Sequence, residues 1–230
     1  MLVQIAWMLI LSIYAALFVT VVTKKLYEIM TKKGIKRKDA VYFNRKFVHI
    51  FAGGVITIFV PLVFDSPIFP LLSGILITLL TYFSHKSSKM MYWFQTDDNI
   101  NDVNFCFMWG VSIFVLWFVL ESVHGIQNAS WIAIIPAAFM SFGDGITGII
   151  RNIALKKRTK HFIGNIYMAL LCIPLGYLLG LYGGIPIGGI IAAFVASITE
   201  RYEIGSLDDN ILITISSSIV LYIYAIIVLL

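Results

Sequence analysis

Long stretches of this chain are almost free of charge, and that leaves few folds open to it. The runs at 3–22, 47–64, 68–83, 104–120, 130–150, 162–181, 185–198 and 211–230 hold one Asp, Glu, Lys or Arg between them, Asp144. A helix needs roughly 20 apolar residues, about 17 at the short end, to cross about 30 Å of hydrocarbon. The pattern therefore predicts an all-α, polytopic transmembrane helical bundle of about eight spans. The runs at 68–83 and 185–198 are short, so seven is the other count. Strand barrels are excluded because apolar residues run continuously instead of alternating. Composition agrees, with 60% apolar and 13% charged residues and a mean hydropathy of +0.91, far from a soluble domain.

Basic residues fall on one side of that reading. The loop after the first run holds Lys24, Lys25, Lys32, Lys33, Lys36, Arg37, Lys38, Arg45 and Lys46. Lys86 and Lys89 follow the third run, Arg151, Lys156, Lys157, Arg158 and Lys160 the fifth, and Arg201 the seventh. These are all 17 Lys and Arg residues of the chain. Positive loops stay in the cytoplasm, which predicts a cytoplasmic basic face and both termini outside. The first run reads as a permanent span, since a signal peptide carries its basic residues before the apolar stretch and not after it. Cys106 and Cys172 lie within runs, without a metal-binding spacing, and read as packing residues.

Topology alone would segregate the cations, but carboxylates gather with them. Asp97, Asp98, Asp102, Glu200, Glu203, Asp208 and Asp209 lie on the basic side, whereas Asp65 and Glu121 lie opposite. Carboxylates and cations at one boundary can hold a divalent metal and a polyphosphate together. Asp144 stands within a run, in Ser141-Phe142-Gly143-Asp144-Gly145-Ile146-Thr147-Gly148. An ionisable group at membrane depth needs a partner and marks a functional site by default. The glycines beside it allow the backbone to open or another element to approach closely. The bland reading is a glycine packing cluster with Asp144 paired to a cation such as Arg151.

Three further clusters carry chemistry. In Asn44-Arg45-Lys46-Phe47-Val48-His49, Arg45 and His49 are four apart and share a helix face. Arg45 and Lys46 also suit an interfacial anchor, which leaves His49 unexplained. In the loop from Lys156 to Asn165, Arg158 and Lys160 can supply charge and Gly164 and Asn165 donors to a phosphate. A plain positive anchor would look similar. After Glu200, Asp208-Asp209-Asn210 opens the last run, where Asp209 or Asn210 can cap a helix and the carboxylates can reach a metal shared with Asp144. No GxxxxGK[ST] motif is present and no GxGxxG follows a strand, which excludes the soluble nucleotide-binding folds on motif and context.

Taken in order, Arg45-Lys46-x-x-His49, Gly143-Asp144, the Lys-rich loop reaching Lys160 and Gly164, Glu200 and the late Asp209-Asn210 resemble the polyprenol kinase family. That family includes dolichol, phytol and geranylgeraniol kinases and is distantly related to phosphatidate cytidylyltransferase. The resemblance covers the chain from about Asn44 onward. It implies one integral membrane domain over 1–230, with 1–43 as the first span and basic loop and 44–230 as the kinase-like catalytic region. It also implies transfer of a phosphoryl group from CTP, with Mg²⁺, to the hydroxyl of a long isoprenoid alcohol held in the bilayer. The partners are then this alcohol, a nucleoside triphosphate and membrane lipids, with no nucleic acid.

On that resemblance Asp144, His49 and Lys46 are the catalytic candidates, and Asp144, Asp209 and Glu200 the metal ligands. Arg45, Lys46, Arg158, Lys160, Gly164 and Asn165 would bind nucleotide and phosphate. The physical requirements agree: an apolar groove for the tail, a cationic mouth for the triphosphate and carboxylates for the metal. A lipid cytidylyltransferase uses the same parts, but the Asp-Arg-x-Asp ending after a His-Gly-Gly stretch is missing. A CDP-alcohol phosphotransferase fits less well, since Gly148-Ile149 stand where its motif has Ala-Arg. A multi-span transporter is the reading from another class; it predicts two halves with matching interrupted segments, and no internal repeat is visible.

Overall fold

The computed structural model describes residues 1–87, 90–155, 159–202 and 207–230. With no water in hydrocarbon to satisfy peptide groups, apolar runs of this length must close their hydrogen bonds internally, and they do so as helices. Among the described residues there are eight: α1 (Leu2–Lys32), α2 (Arg37–Val63), α3 (Ile68–Lys86), α4 (Asn101–Val123), α5 (Ala129–Leu155), α6 (Phe162–Tyr182), α7 (Pro186–Thr199) and α8 (Asp209–Leu229). All but α7 are long and apolar enough to span a membrane, and the chain is a membrane-embedded helical bundle.

Helix α7 has 14 residues, about 21 Å at 1.5 Å per residue. It nevertheless runs from one pole of the bundle to the other. Its start packs on the far end of α6, where Gly180 faces Ile185 and Pro186. Its end delivers Glu200 beside Lys160 and Asp209, at the other pole. Small residues make this steep packing possible: a Cβ on Gly189 would collide with the Gly176 carbonyl of α6, so the two backbones touch. Gly74 of α3 and Gly110 of α4 meet in the same way, 2.6 Å from a notional Cβ on Gly74 to the Gly110 Cα.

Helix α5 is the hub. In its apolar window 83% of residues are buried, against 6% in α1. A helix apolar all round belongs inside, and Ile132 to Ile135 and Ala137 to Met140 have no exposed surface. Helix α1 lies at the rim, attached by Tyr14 Oη donating to the Phe51 carbonyl at 2.7 Å and by Trp93 Nε1 donating to the Val19 carbonyl at 2.9 Å. Several helices outrun their apolar runs, because hydropathy registers only the part in hydrocarbon. Helix α1 continues to Lys32 and α2 begins at Arg37.

Two π-helical turns bear on function: Val48–Gly54 in α2 and Phe139–Gly143 in α5. The glycines around Asp144 do not open the backbone, which stays helical from Ala129 to Leu155. They let α2 come close instead. A Cβ on Gly145 would strike Ile50, and one on Gly148 would strike the Lys46 side chain and lie 2.7 Å from Tyr42 Oη.

Candidate functional site

Helices α2, α5, α7 and α8 converge at the basic pole on a polar cavity of about 340 Å³. On α2, Tyr42, Arg45, Lys46 and His49 line it; on α5, Asp144, Thr147 and Arg151, at helical spacings of three and four. Lys160, Glu200, Asp209 and Asn210 close it. Buried Asp144 is at the centre, accepting from Lys46 Nζ at 2.6 and 2.7 Å on its two oxygens. His49 Nδ1 lies 2.9 Å from Asp144 Oδ2, and its ring stacks on Phe105 at 4.0 Å.

A second buried pair lies beside the first. Arg151 donates to Glu200 through both terminal nitrogens at 2.7 Å, a bidentate fork. Its Nε donates to the His161 carbonyl at 2.8 Å. Asn165 locks the pair, accepting from Arg151 at 3.0 Å and donating to Glu200 at 3.0 Å. Gly164 makes room for this fork, since a Cβ there would run into the Arg151 guanidinium. Gly164 and Asn165 therefore stand behind the cavity, holding Arg151.

The third pair is Lys160 with Asp209, 2.5 Å apart, and Lys160 also reaches the Glu200 carbonyl at 3.1 Å. Burial works against the Lys160 charge, but Asp209 and then Glu200 raise its pKa above the ordinary lysine value. The cap of α8 is Asp208, just before the Asp209 or Asn210 expected from sequence, and it accepts from Ile211 N at 3.1 Å. Burial pushes its carboxyl up, and Asn104, donating at 3.1 Å, opposes that shift.

A charge count then isolates one residue. Four cations line the cavity, Arg45, Lys46, Arg151 and Lys160, against three carboxylates, Asp144, Glu200 and Asp209. The pairs Lys46–Asp144, Arg151–Glu200 and Lys160–Asp209 use all three carboxylates. Arg45 is left over, only 9% exposed and, among the described residues, without an acceptor. None of its guanidinium nitrogens is among the buried atoms that lack a partner, so the group meets the open space of the cavity, where it can bind an anion. The Asn210 amide oxygen, by contrast, is buried without a hydrogen-bond partner.

Asp144, Glu200 and Asp209 each offer an oxygen, all within 4.8 Å of one another. Hard oxygen donors suit a divalent cation such as Mg²⁺, which completes its shell with phosphate and water. The donor set fits a metal, and Lys46 and Lys160 pair with two of the same carboxylates.

Of the residues singled out from sequence, Arg45, Lys46, His49, Asp144, Lys160, Glu200 and Asp209 line this one cavity. Arg158 lies outside the described residues. The partner suggested for Asp144 is corrected: Arg151 belongs to Glu200, and Lys46 and His49 hold Asp144. Thr147 and Arg151 were not among the candidates, though their spacing of three and seven from Asp144 signals a shared face. Comparison with protein-family models, curated proteins and solved structures finds no match.

Proposed function

We propose that the polar cavity is a phosphoryl-transfer site in which CTP, with Mg²⁺, phosphorylates a long-chain isoprenoid alcohol at the cytoplasmic face. The observation that carries the reading is Arg45. This cation, which has no carboxylate of its own among the described residues, lines the polar cavity and also a second, apolar cavity of about 520 Å³ that reaches into the bundle. His49 lines both as well. An anion-binding group between a charged chamber and an oily one suits a reaction joining a phosphate to a lipid.

In this reading the alcohol oxygen bonds to the γ-phosphorus as the bond from that phosphorus to the β–γ bridging oxygen breaks, and CDP leaves. The hydroxyl proton passes to His49. Donation of Nδ1–H to Asp144 keeps the lone pair on Nε2, so the carboxylate orients the base. Arg45, Lys46 and Lys160 neutralise phosphate oxygens. Mg²⁺, held by Asp144, Glu200 and Asp209, would polarise the phosphates. The donor identity and the kind of alcohol come from the family resemblance. Transport is disfavoured by the hub helix, whose buried stretch from Ile132 to Met140 offers no polar path.

The test is direct. Purified protein given CTP labelled on the γ-phosphate, Mg²⁺ and geranylgeraniol should yield a labelled lipid monophosphate. Label reaching lipid only from the α-phosphate, with a lipid phosphate as acceptor, would establish a cytidylyltransferase instead. Transfer of neither label to any lipid would leave transport as the reading to pursue.

A further inference from the structure

The apolar cavity is bounded by α1, α2, α3 and α4, and its polar end is formed by Arg45, His49 and Asp102. Asp102 is held there by His85 at 3.0 Å and by Gln95, which donates at 2.8 Å. Some residues that line the cavity are also exposed on the outside of the bundle. On α1 these are Leu9, Ile13, Ala16 and Thr20, spaced by four, three and four, one face of a helix. On α3 they are Leu76 and Leu80, again four apart. A side chain can line a cavity and face the exterior only at an opening. The two stripes are the rims of a slot between α1 and α3, in helix stretches that lie within the hydrocarbon.

We infer that this slot is a lateral portal: a single-chain lipid alcohol enters from the bilayer between α1 and α3, with its hydroxyl end at Arg45 and His49. This rests on the phosphoryl-transfer reading of the polar cavity. The rim helix suits the task, since α1 is the least buried span and is tied down by few polar contacts. At roughly 30 Å³ per water-sized group, a cavity of about 520 Å³ holds about 17 carbon-sized groups, between three and four isoprene units. Moving a tail from lipid into an apolar cavity gains no hydrophobic free energy, so selection acts through packing inside the cavity. Any excess length stays in the bilayer through the open slot. Affinity should therefore rise with chain length up to 15 to 20 carbons and then level off.

The experiment uses the full chain in lipid nanodiscs and a C20 isoprenoid alcohol with a photoreactive diazirine at its tail end. Adducts are mapped by mass spectrometry, and competitors are compared at equal mole fraction in the bilayer. Adducts should concentrate on cavity-lining residues of α1, α3 and α4. Unlabelled C20 and C55 alcohols should compete equally, and a C10 alcohol severalfold less well. Ala16→Trp, which fills the slot, should cut cavity labelling about tenfold at an unchanged unfolding midpoint; Leu80→Trp tests the opposite rim should the first variant misfold. Adducts spread over all lipid-facing helices, no effect of either tryptophan, or failure of the C55 alcohol to compete would overturn the portal. Labelling needs no turnover, so the two readings part cleanly. Cavity labelling without phosphorylation rejects the kinase and keeps the portal, and phosphorylation without cavity labelling does the reverse.

Discussion

The Lys46–Asp144 pair makes a quantitative demand. Both side chains are almost fully buried, 11% and 2% exposed, and the ammonium touches both carboxylate oxygens. Lys46→Met strands a buried carboxylate beside His49, and Asp144→Asn strands a buried ammonium. Breaking such a pair from one side costs about 3–5 kcal/mol, because the surviving charge has lost its compensation. For a chain of this size each kcal/mol moves the unfolding midpoint by roughly 2–4 °C, so either single change should lower it by about 6–20 °C. Lys46→Met with Asp144→Asn leaves no stranded charge, and the amide oxygen introduced by the second change could still accept from His49. The double variant should recover more than half of that loss. The assay is thermal unfolding in detergent at fixed scan rate, with lipid phosphorylation measured on the same samples. All three variants should be inactive, including the stable one. Additive losses, or singles within about 2 °C of the parent, the least that 1 kcal/mol would produce, would refute the pair as drawn.

Arg45→Met should behave in the opposite sense, since it removes a cation that has no partner. Its midpoint should hold or rise, while pyrophosphate affinity measured by calorimetry falls about tenfold or more, the worth of a charge-assisted hydrogen bond. Glu200→Gln takes the counter-charge from Arg151 and should lower the midpoint by an amount like that of the Lys46 singles. Gly164→Ala should shift it the same way by displacing the fork. Trp109→Phe loses a 2.7 Å hydrogen bond to Thr57, but Thr57 still donates to the Gly53 carbonyl. Its cost should stay near 1 kcal/mol, visible as a drop of about 2–4 °C.

The bundle was legible because hydrocarbon imposes one rule on every residue of a span, and the runs obey it. The residues at the site were legible for a related reason: Asp144, and His49 just inside its run, are polar where polarity is expensive. Partners were not. Lys46 and Arg151 are both plausible counter-ions for Asp144, and the choice depends on α2 lying against Gly145 and Gly148, a contact between segments nearly a hundred residues apart. Arg45 and Lys46 are neighbours in sequence, yet one is paired and the other is not. Helix α7 was the weakest span to read, because its 14 residues satisfy packing on α6 and not the bilayer's thickness.

The wide turn at Phe139–Gly143 sits immediately before Asp144. A π-helical turn holds one residue more than an α-helical turn would, so it absorbs that residue without re-aiming the helix after it. Removing one residue from it would restore a regular helix and leave Asp144, Thr147 and Arg151 facing nearly as before relative to Ile132–Ala138, whereas removing one residue between Asp144 and Arg151 would turn Arg151 away from Asp144 by about 100°, given 3.6 residues per turn. Composition, charge and hydropathy would barely change. In this protein the length of the hub helix, counted residue by residue, is as much a part of the site as the side chains it carries, and the wide turn is where that count can change by one at the least cost to the site.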